Sequence, residues 1–160
     1  MRAEPSDTPE DAAARSSGFD ARRFTEMAGA VGHTAALGLA YHAHGPGADG
    51  SFWAELALPW AERLVGDPET GVVASGPVVA LMDNACSIAV WLRLGRFRWQ
   101  ATLDLRVDYL RPARAHATLV GRGECYALKR RVAFVRGLAH DGDASNPVAH
   151  VAGTFIFTGD

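Results

Sequence analysis

A chain of 160 residues, 48% apolar and 21% charged, has the size and composition of a single globular domain with matter enough for a substantial core. A net charge of −2 and a pI near 6.3 argue against general nucleic-acid binding. Cys86 and Cys125 stand far apart in sequence, one in an apolar run and one in a strand-like run, which speaks against a disulfide framework and for a reducing, cytoplasmic setting. No apolar run reads as a membrane span, and the N-terminal stretch lacks the apolar centre of a signal peptide.

In chain order, residues 1–18 are rich in Ala, Ser, Pro and acids without periodicity and read as a disordered leader, leaving 19–160 as one domain. Asp20 is placed to cap a short helix running to about Ala30, with Phe24, Met27, Ala28 and Val31 on one face. Leu37, Leu39, Tyr41 and Ala43, then Phe52, Ala54, Leu56 and Leu58, alternate as the strands of a hairpin around Gly45–Gly50. His42 and His44, two apart on such a strand, share a side and could begin a metal site. No third ligand stands at a supporting spacing, so the expectation is a solvent-facing pair and no metal. Trp60–Val65 reads as a turn or short helix leading into the Gly66–Gly71 loop.

Gly71–Trp91 is the organising stretch. Val78, Val79, Leu81, Met82, Ala85, Cys86, Ile88, Ala89, Val90 and Trp91 leave no polar face, so the rest of the protein must enclose this helix. Ser75 is a candidate N-cap, and Pro77 lies in the first turn, where a missing N–H costs little. Asp83 falls about two turns further in, too deep to serve as a capping acid. A carboxylate in apolar surroundings needs a partner, water or a ligand. It either makes a buried hydrogen bond or serves a site whose oxyanion donors are the free N–H groups at Ser75 and Gly76.

Beyond Gly95 the pattern turns to period two. Ala101, Leu103, Leu105, Val107 and Tyr109 alternate with Thr102, Asp104, Arg106 and Asp108, and His116–Cys125, Arg131–Leu138 and Val148–Thr158 supply three more strands. Strands outnumber helices too heavily for alternating parallel units. The expected class is α+β, a hotdog fold in which a curved antiparallel sheet of about six strands wraps one long apolar helix. An exposed sheet edge tends to pair, so a homodimer is expected, with a tetramer left open.

Leu64-Val65-Gly66-Asp67-Pro68, Thr70-Gly71-Val72, Ala80-Leu81-Met82-Asp83-Asn84-Ala85, Ala101-Thr102-Leu103-Asp104-Leu105 and Tyr109-Leu110-Arg111-Pro112 together resemble the PaaI-type branch of hotdog-fold acyl-CoA thioesterases. The resemblance runs from about Leu37 to the C-terminus. It implies hydrolysis of an acyl-CoA thioester in a site between two subunits, with coenzyme A as part of the substrate and no separate cofactor. It places the catalytic acid at Asp83 and the family's His-Gly-Gly over Ala74-Ser75-Gly76, so the acid and the second glycine persist while the histidine is replaced. Thr102 matches a strand position where relatives place a Ser or Thr near the attacking water, reaching over from the neighbouring subunit. Asp83 then attacks the thioester or deprotonates a water, and backbone N–H groups of Ser75 and Gly76 receive the oxyanion. Asn84 and Ser87 are supporting neighbours.

From Arg111 to Arg136 the chain carries seven basic residues against one acid, Glu124, a sector suited to a polyphosphate-bearing ligand. Arg111, Arg130 and Arg131, at strand ends, are the expected coenzyme A contacts. No Gly-x-Ser-x-Gly elbow and no phosphate-cradling glycine loop is present. Cys86, on the core helix, reads as packing. Two readings result: an acyl-CoA thioesterase with no nucleic-acid or membrane partner, and a catalytically silent binder or sensor of acyl-CoA on the same fold.

Overall fold

The computed structural model describes residues 18–158; the leader expected over 1–18 therefore lies, Gly18 apart, outside the described residues. Helix α1 is Ala21–Ala28, capped as expected by Asp20, whose carboxylate accepts from Arg23 N at 2.9 Å. A one-turn-and-a-half helix α2, Gly32–Leu37, follows; six residues carry too little apolar period to be legible in advance. Strands β1 (Ala40–Pro46) and β2 (Phe52–Leu58) form the hairpin, and a short ribbon of β3 (Val65–Asp67) and β4 (Val72–Val73) leads into helix α3, Ser75–Leu94. Strands β5 (Gln100–Tyr109), β6 (Leu119–Leu128), β7 (Val132–His140) and β8 (Ala149–Phe157) complete the chain.

Six of these strands make one antiparallel sheet in the order β1-β2-β6-β7-β8-β5, curved around α3. This is the α+β hotdog arrangement expected. The inner face presents Ala54, Leu56 and Leu58 from β2, Cys125 from β6, Ala133 and Val135 from β7 and Phe155 from β8, all buried in one core with α3. At Gly123 a Cβ would lie 2.6 Å from Cys86 N, so only glycine lets the helix backbone come this close to β6. Phe19, Phe24 and Trp91 stack at one end of the helix, with ring centroids 4.7 to 5.7 Å apart.

The structure departs from the sequence pattern at three points. First, the N-cap of α3 is Ala74, with no side-chain hydrogen bond, and not Ser75, which is the first residue of the helix; Gly71, with a left-handed φ of 69°, lies before the ribbon strand β4. Second, α3 is by length and composition long enough to cross a bilayer, yet it is the core helix inside the sheet. Third, a register shift at His42 breaks the two-residue alternation of β1. His44 accordingly packs beneath Tyr41, whose hydroxyl lies 2.7 Å from His44 Nδ1, while His42 approaches Glu55 at 3.9 Å. The two histidines do not form a shared face.

Candidate active site around Asp83 and Thr102

Helix α3 is not covered on every side. Val78, Leu81, Met82, Ala85, Cys86, Ile88, Ala89 and Val90 are buried, whereas Gly76, Ala80, Asp83 and Ser87 are exposed or half-buried. These four fall at intervals of three and four residues, so they form one stripe along the helix. Their small size is what hides the stripe in the sequence: Gly and Ala read as apolar filling, and only Asp83 and Ser87 mark it. The stripe is the face that β5, the edge strand, flanks.

Asp83 sits on that stripe, half-buried, and Thr102 Oγ1 donates to its Oδ1 at 2.6 Å. Among the described residues Thr102 is its one side-chain donor, so the second carboxylate oxygen is left for another ligand. The contact exists because β5 shifts register between Thr102 and Asp104. Before the shift Gln100 and Thr102 face the helix, and after it Leu105, Val107 and Tyr109 do. The plain alternation read from the sequence puts Thr102 on the opposite face from Leu105; the shift brings it inward. The bond is made within one chain.

Asn84 spends its amide on Ala80 O at 2.8 Å, and Gln100 Nε2 donates to Ser87 O at 3.1 Å, so both brace the helix. At the start of α3, Ser75 and Gly76 are exposed and Pro77 has no N–H, so the N–H groups of Ser75 and Gly76 are the first-turn donors available to a ligand. A Cβ on Gly76 would meet nothing within 4 Å, so open space adjoins that donor. The turn is hung from the ribbon by Ala74 N donating to Leu64 O at 2.8 Å. Trp60 fixes the ribbon in turn, donating to Gly71 O at 2.9 Å and stacking on His116 at 4.3 Å.

Tyr109, which the sequence marks only as a strand residue and as the start of the Tyr109-Leu110-Arg111-Pro112 run, reaches the same turn: its hydroxyl donates to Ser75 O at 3.1 Å. Burial raises the Tyr109 hydroxyl above its ordinary pKa, against an opposing contact with the Ser75 side chain, so it remains a donor at neutral pH. Burial likewise pushes the Cys125 thiol up to about 11 and that of Cys86 further still, which leaves both as packing groups and not nucleophiles.

The basic sector looks different in three dimensions. Arg111 and Arg114 pair with the buried Asp141, Arg122 with Glu55 and Arg136 with Glu124, so four of the seven cations are met by acids. The guanidinium of Arg111 donates to both Asp141 oxygens at 2.7 and 2.8 Å, to Asn146 Oδ1 and O, and to Pro112 O. Its donors are thus committed to the protein, and its role is to tie the β5–β6 loop to the β7–β8 loop. Arg130 and Arg131 are exposed in the β6–β7 turn, where Arg131 O accepts from Phe157 N at 3.0 Å. That turn adjoins the start of β5, while Arg111 follows its end, roughly 30 Å of strand away. The three arginines do not converge within one chain.

Residues 70–147 match the family model described as the thioesterase superfamily. A solved protein of Pseudomonas aeruginosa is 40% identical, with 85% of this chain and 95% of that one covered and a TM-score of 0.70. The chain belongs to the thioesterase superfamily. A variant of the phenylacetic acid degradation protein PaaI from Thermus thermophilus is 28% identical over 77% of this chain and 96% of that one, with a TM-score of 0.62. The PaaI protein of E. coli, from the phenylacetic acid degradation operon, shares the fold at 15% identity and a TM-score of 0.69, covering 88% and 97%. No curated protein matches the chain. The PaaI-type resemblance of the sequence is borne out, and with it a thioester hydrolase as the general activity of the superfamily.

Proposed function

We propose that this thioesterase-superfamily chain hydrolyses an acyl-CoA thioester as a homodimer joined along β5, with Asp83 as nucleophile or general base and the Ser75 and Gly76 N–H groups as oxyanion donors. The observation that carries it is the Asp83–Thr102 pair at 2.6 Å, set on an open helix stripe whose N-terminal donors adjoin free space. Thr102 holds one carboxylate oxygen, which leaves the other aimed at a carbonyl carbon or a water. Donors at the positive end of α3 lower the energy of the tetrahedral oxyanion. Thiolate is a good leaving group, so departure of coenzyme A needs no strong acid, and Ala74 in place of a histidine is compatible with turnover.

Geometry favours a site composed from two subunits. Seven positions of helix separate Gly76 from Asp83, about 10 Å along the axis. A carbonyl attacked at carbon and hydrogen-bonded at oxygen spans only about 6 Å from nucleophile to donor. Even with the Asp83 side chain leaning toward the N-terminus, one chain does not supply both halves at once. An antiparallel two-fold pairing sets the start of one β5 beside the end of the other and brings the carboxylate of one helix toward the N-terminus of its partner. The apolar surface supports that edge: Trp99 is 70% and Leu103 59% exposed, and Phe97, Tyr109, Leu110 and Val79 are exposed alongside. The same pairing lets the Arg130-Arg131 turn of one subunit border the cleft near the helix N-terminus of the other, where a polyphosphate would lie.

Release of free thiol from short, medium and aromatic acyl-CoAs, compared between wild type and Asp83→Asn, tests the reading. Hydrolysis lowered at least about 100-fold by the substitution is the expected result. Hydrolysis indifferent to it would overturn the role of Asp83, and acyl-CoA binding without hydrolysis would favour a silent binder.

A further inference from the structure

The helix turn that carries the oxyanion donors has little in its own sequence to hold it. Its N-cap, Ala74, offers no side-chain hydrogen bond, and Gly76 disfavours helix more than any residue but proline. Ser75 and Gly76 are exposed, so no packing compensates. First turns of this kind fray, whereas donors for a developing charge act well only when already fixed.

One side chain from elsewhere in the fold grips the turn. Tyr109, the last residue of β5, donates its hydroxyl to Ser75 O at 3.1 Å. The Ser75 carbonyl and the Gly76 N–H belong to one planar trans peptide and point in opposite directions, so a bond that holds the first aims the second. The carbonyl has two lone pairs, so the tyrosine bond adds to the helix ladder without displacing it. Hydrogen bonding at the oxygen also polarises the conjugated amide and makes its N–H the stronger donor.

We propose that Tyr109 is a positioning residue for the reaction, orienting and polarising the Ser75–Gly76 peptide so that the Gly76 N–H meets the thioester oxyanion. This rests on the reading of Ser75 and Gly76 as oxyanion donors. Asp83 and Thr102 prepare the attack, and Tyr109 prepares the place where the charge arrives.

Tyr109→Phe keeps the ring and removes only the O–H. The expected result is a kcat lowered about tenfold with KM, melting temperature and solution mass unchanged. In the same variant, the 15N–1H resonance of Gly76 moves more than those of the buried turns of α3. A wild-type kcat, a loss confined to KM, or a Gly76 resonance left in place would each overturn the assignment. Asp83→Asn run in parallel separates the two claims. If it abolishes hydrolysis while Tyr109→Phe does not lower kcat, the tyrosine assignment alone falls. If wild type hydrolyses no acyl-CoA, the functional reading falls and the tyrosine role goes with it.

Discussion

Thr102 Oγ1 lies 2.6 Å from Asp83 Oδ1, and the two residues come from the edge strand and the core helix of the same chain. A hydroxyl donating to one carboxylate oxygen fixes which oxygen is free. Removing the carboxylate by Asp83→Asn is expected to cost kcat roughly 100- to 10,000-fold, the range for a positioned acid–base group. Thr102→Val keeps the strand-favouring shape and removes the bond, with an expected kcat loss of roughly tenfold or more. Steady-state thiol release checks both.

Gly76 tests the open space next to the donor. A Cβ there meets no atom within 4 Å, and alanine favours helix over glycine by about 1 kcal/mol. Gly76→Ala is therefore expected to leave the melting temperature equal or higher while kcat/KM falls, because the new methyl occupies the path of the thioester. Unchanged kcat/KM would remove the substrate from this turn.

A composite site makes a complementation experiment decisive. Asp83→Asn and Gly76→Val, each inactive alone, are expected to recover activity when subunits are mixed, because half of the dimers are mixed and each then has one intact site. Recovery approaches about one quarter of wild type for random pairing. Sites contained within single chains would show no recovery.

The edge assignment predicts a change in mass. Trp99→Glu combined with Leu103→Glu puts charge on the most exposed apolar part of β5 and its flank and is expected to yield monomers by light scattering, with activity lost. A dimer that persists would place the interface elsewhere.

Asp141 is buried, with its side chain 2% exposed, and the Arg111 guanidinium, helped by the Arg114 N–H, holds its carboxyl well below the usual carboxylate range. A folded-state pKa below the unfolded one gives stability that is present above about pH 4 and lost as pH falls further. Asp141→Asn replaces the two charge-assisted hydrogen bonds that the Arg111 guanidinium donates to the carboxylate by weaker ones to a neutral amide. Asp141→Asn should thus lower the melting temperature by roughly 10 °C at pH 7. The gap to wild type should narrow below pH 4. A gap that is constant with pH would mean that the carboxylate charge contributes nothing.

Much of this protein is written in local pattern. The nearly unbroken apolar run of Val78–Leu92 fixes a buried helix, the alternation of Phe52–Leu58 and Val148–Phe157 fixes strands, and an excess of strands over helices fixes an antiparallel sheet. Asp83 is legible because a charge inside an apolar run has to be explained by something outside it. Pattern depends on neighbours in sequence, and it fails wherever one inserted residue or one distant partner decides the outcome. Register shifts in β1 and β5 separate His42 from His44 and turn Thr102 toward Asp83, which period two does not foresee. The basic run from Arg111 to Arg136 loses most of its free charge to Glu55, Glu124 and Asp141, two of which lie outside it in sequence. Tyr109 reads as an ordinary strand residue until folding brings it across 34 positions to Ser75. Sequence determined which elements form and most of the core they bury, because burial and periodicity are local averages. Only the tertiary structure decided which side chains meet, because a hydrogen bond depends on positions set by the whole sheet.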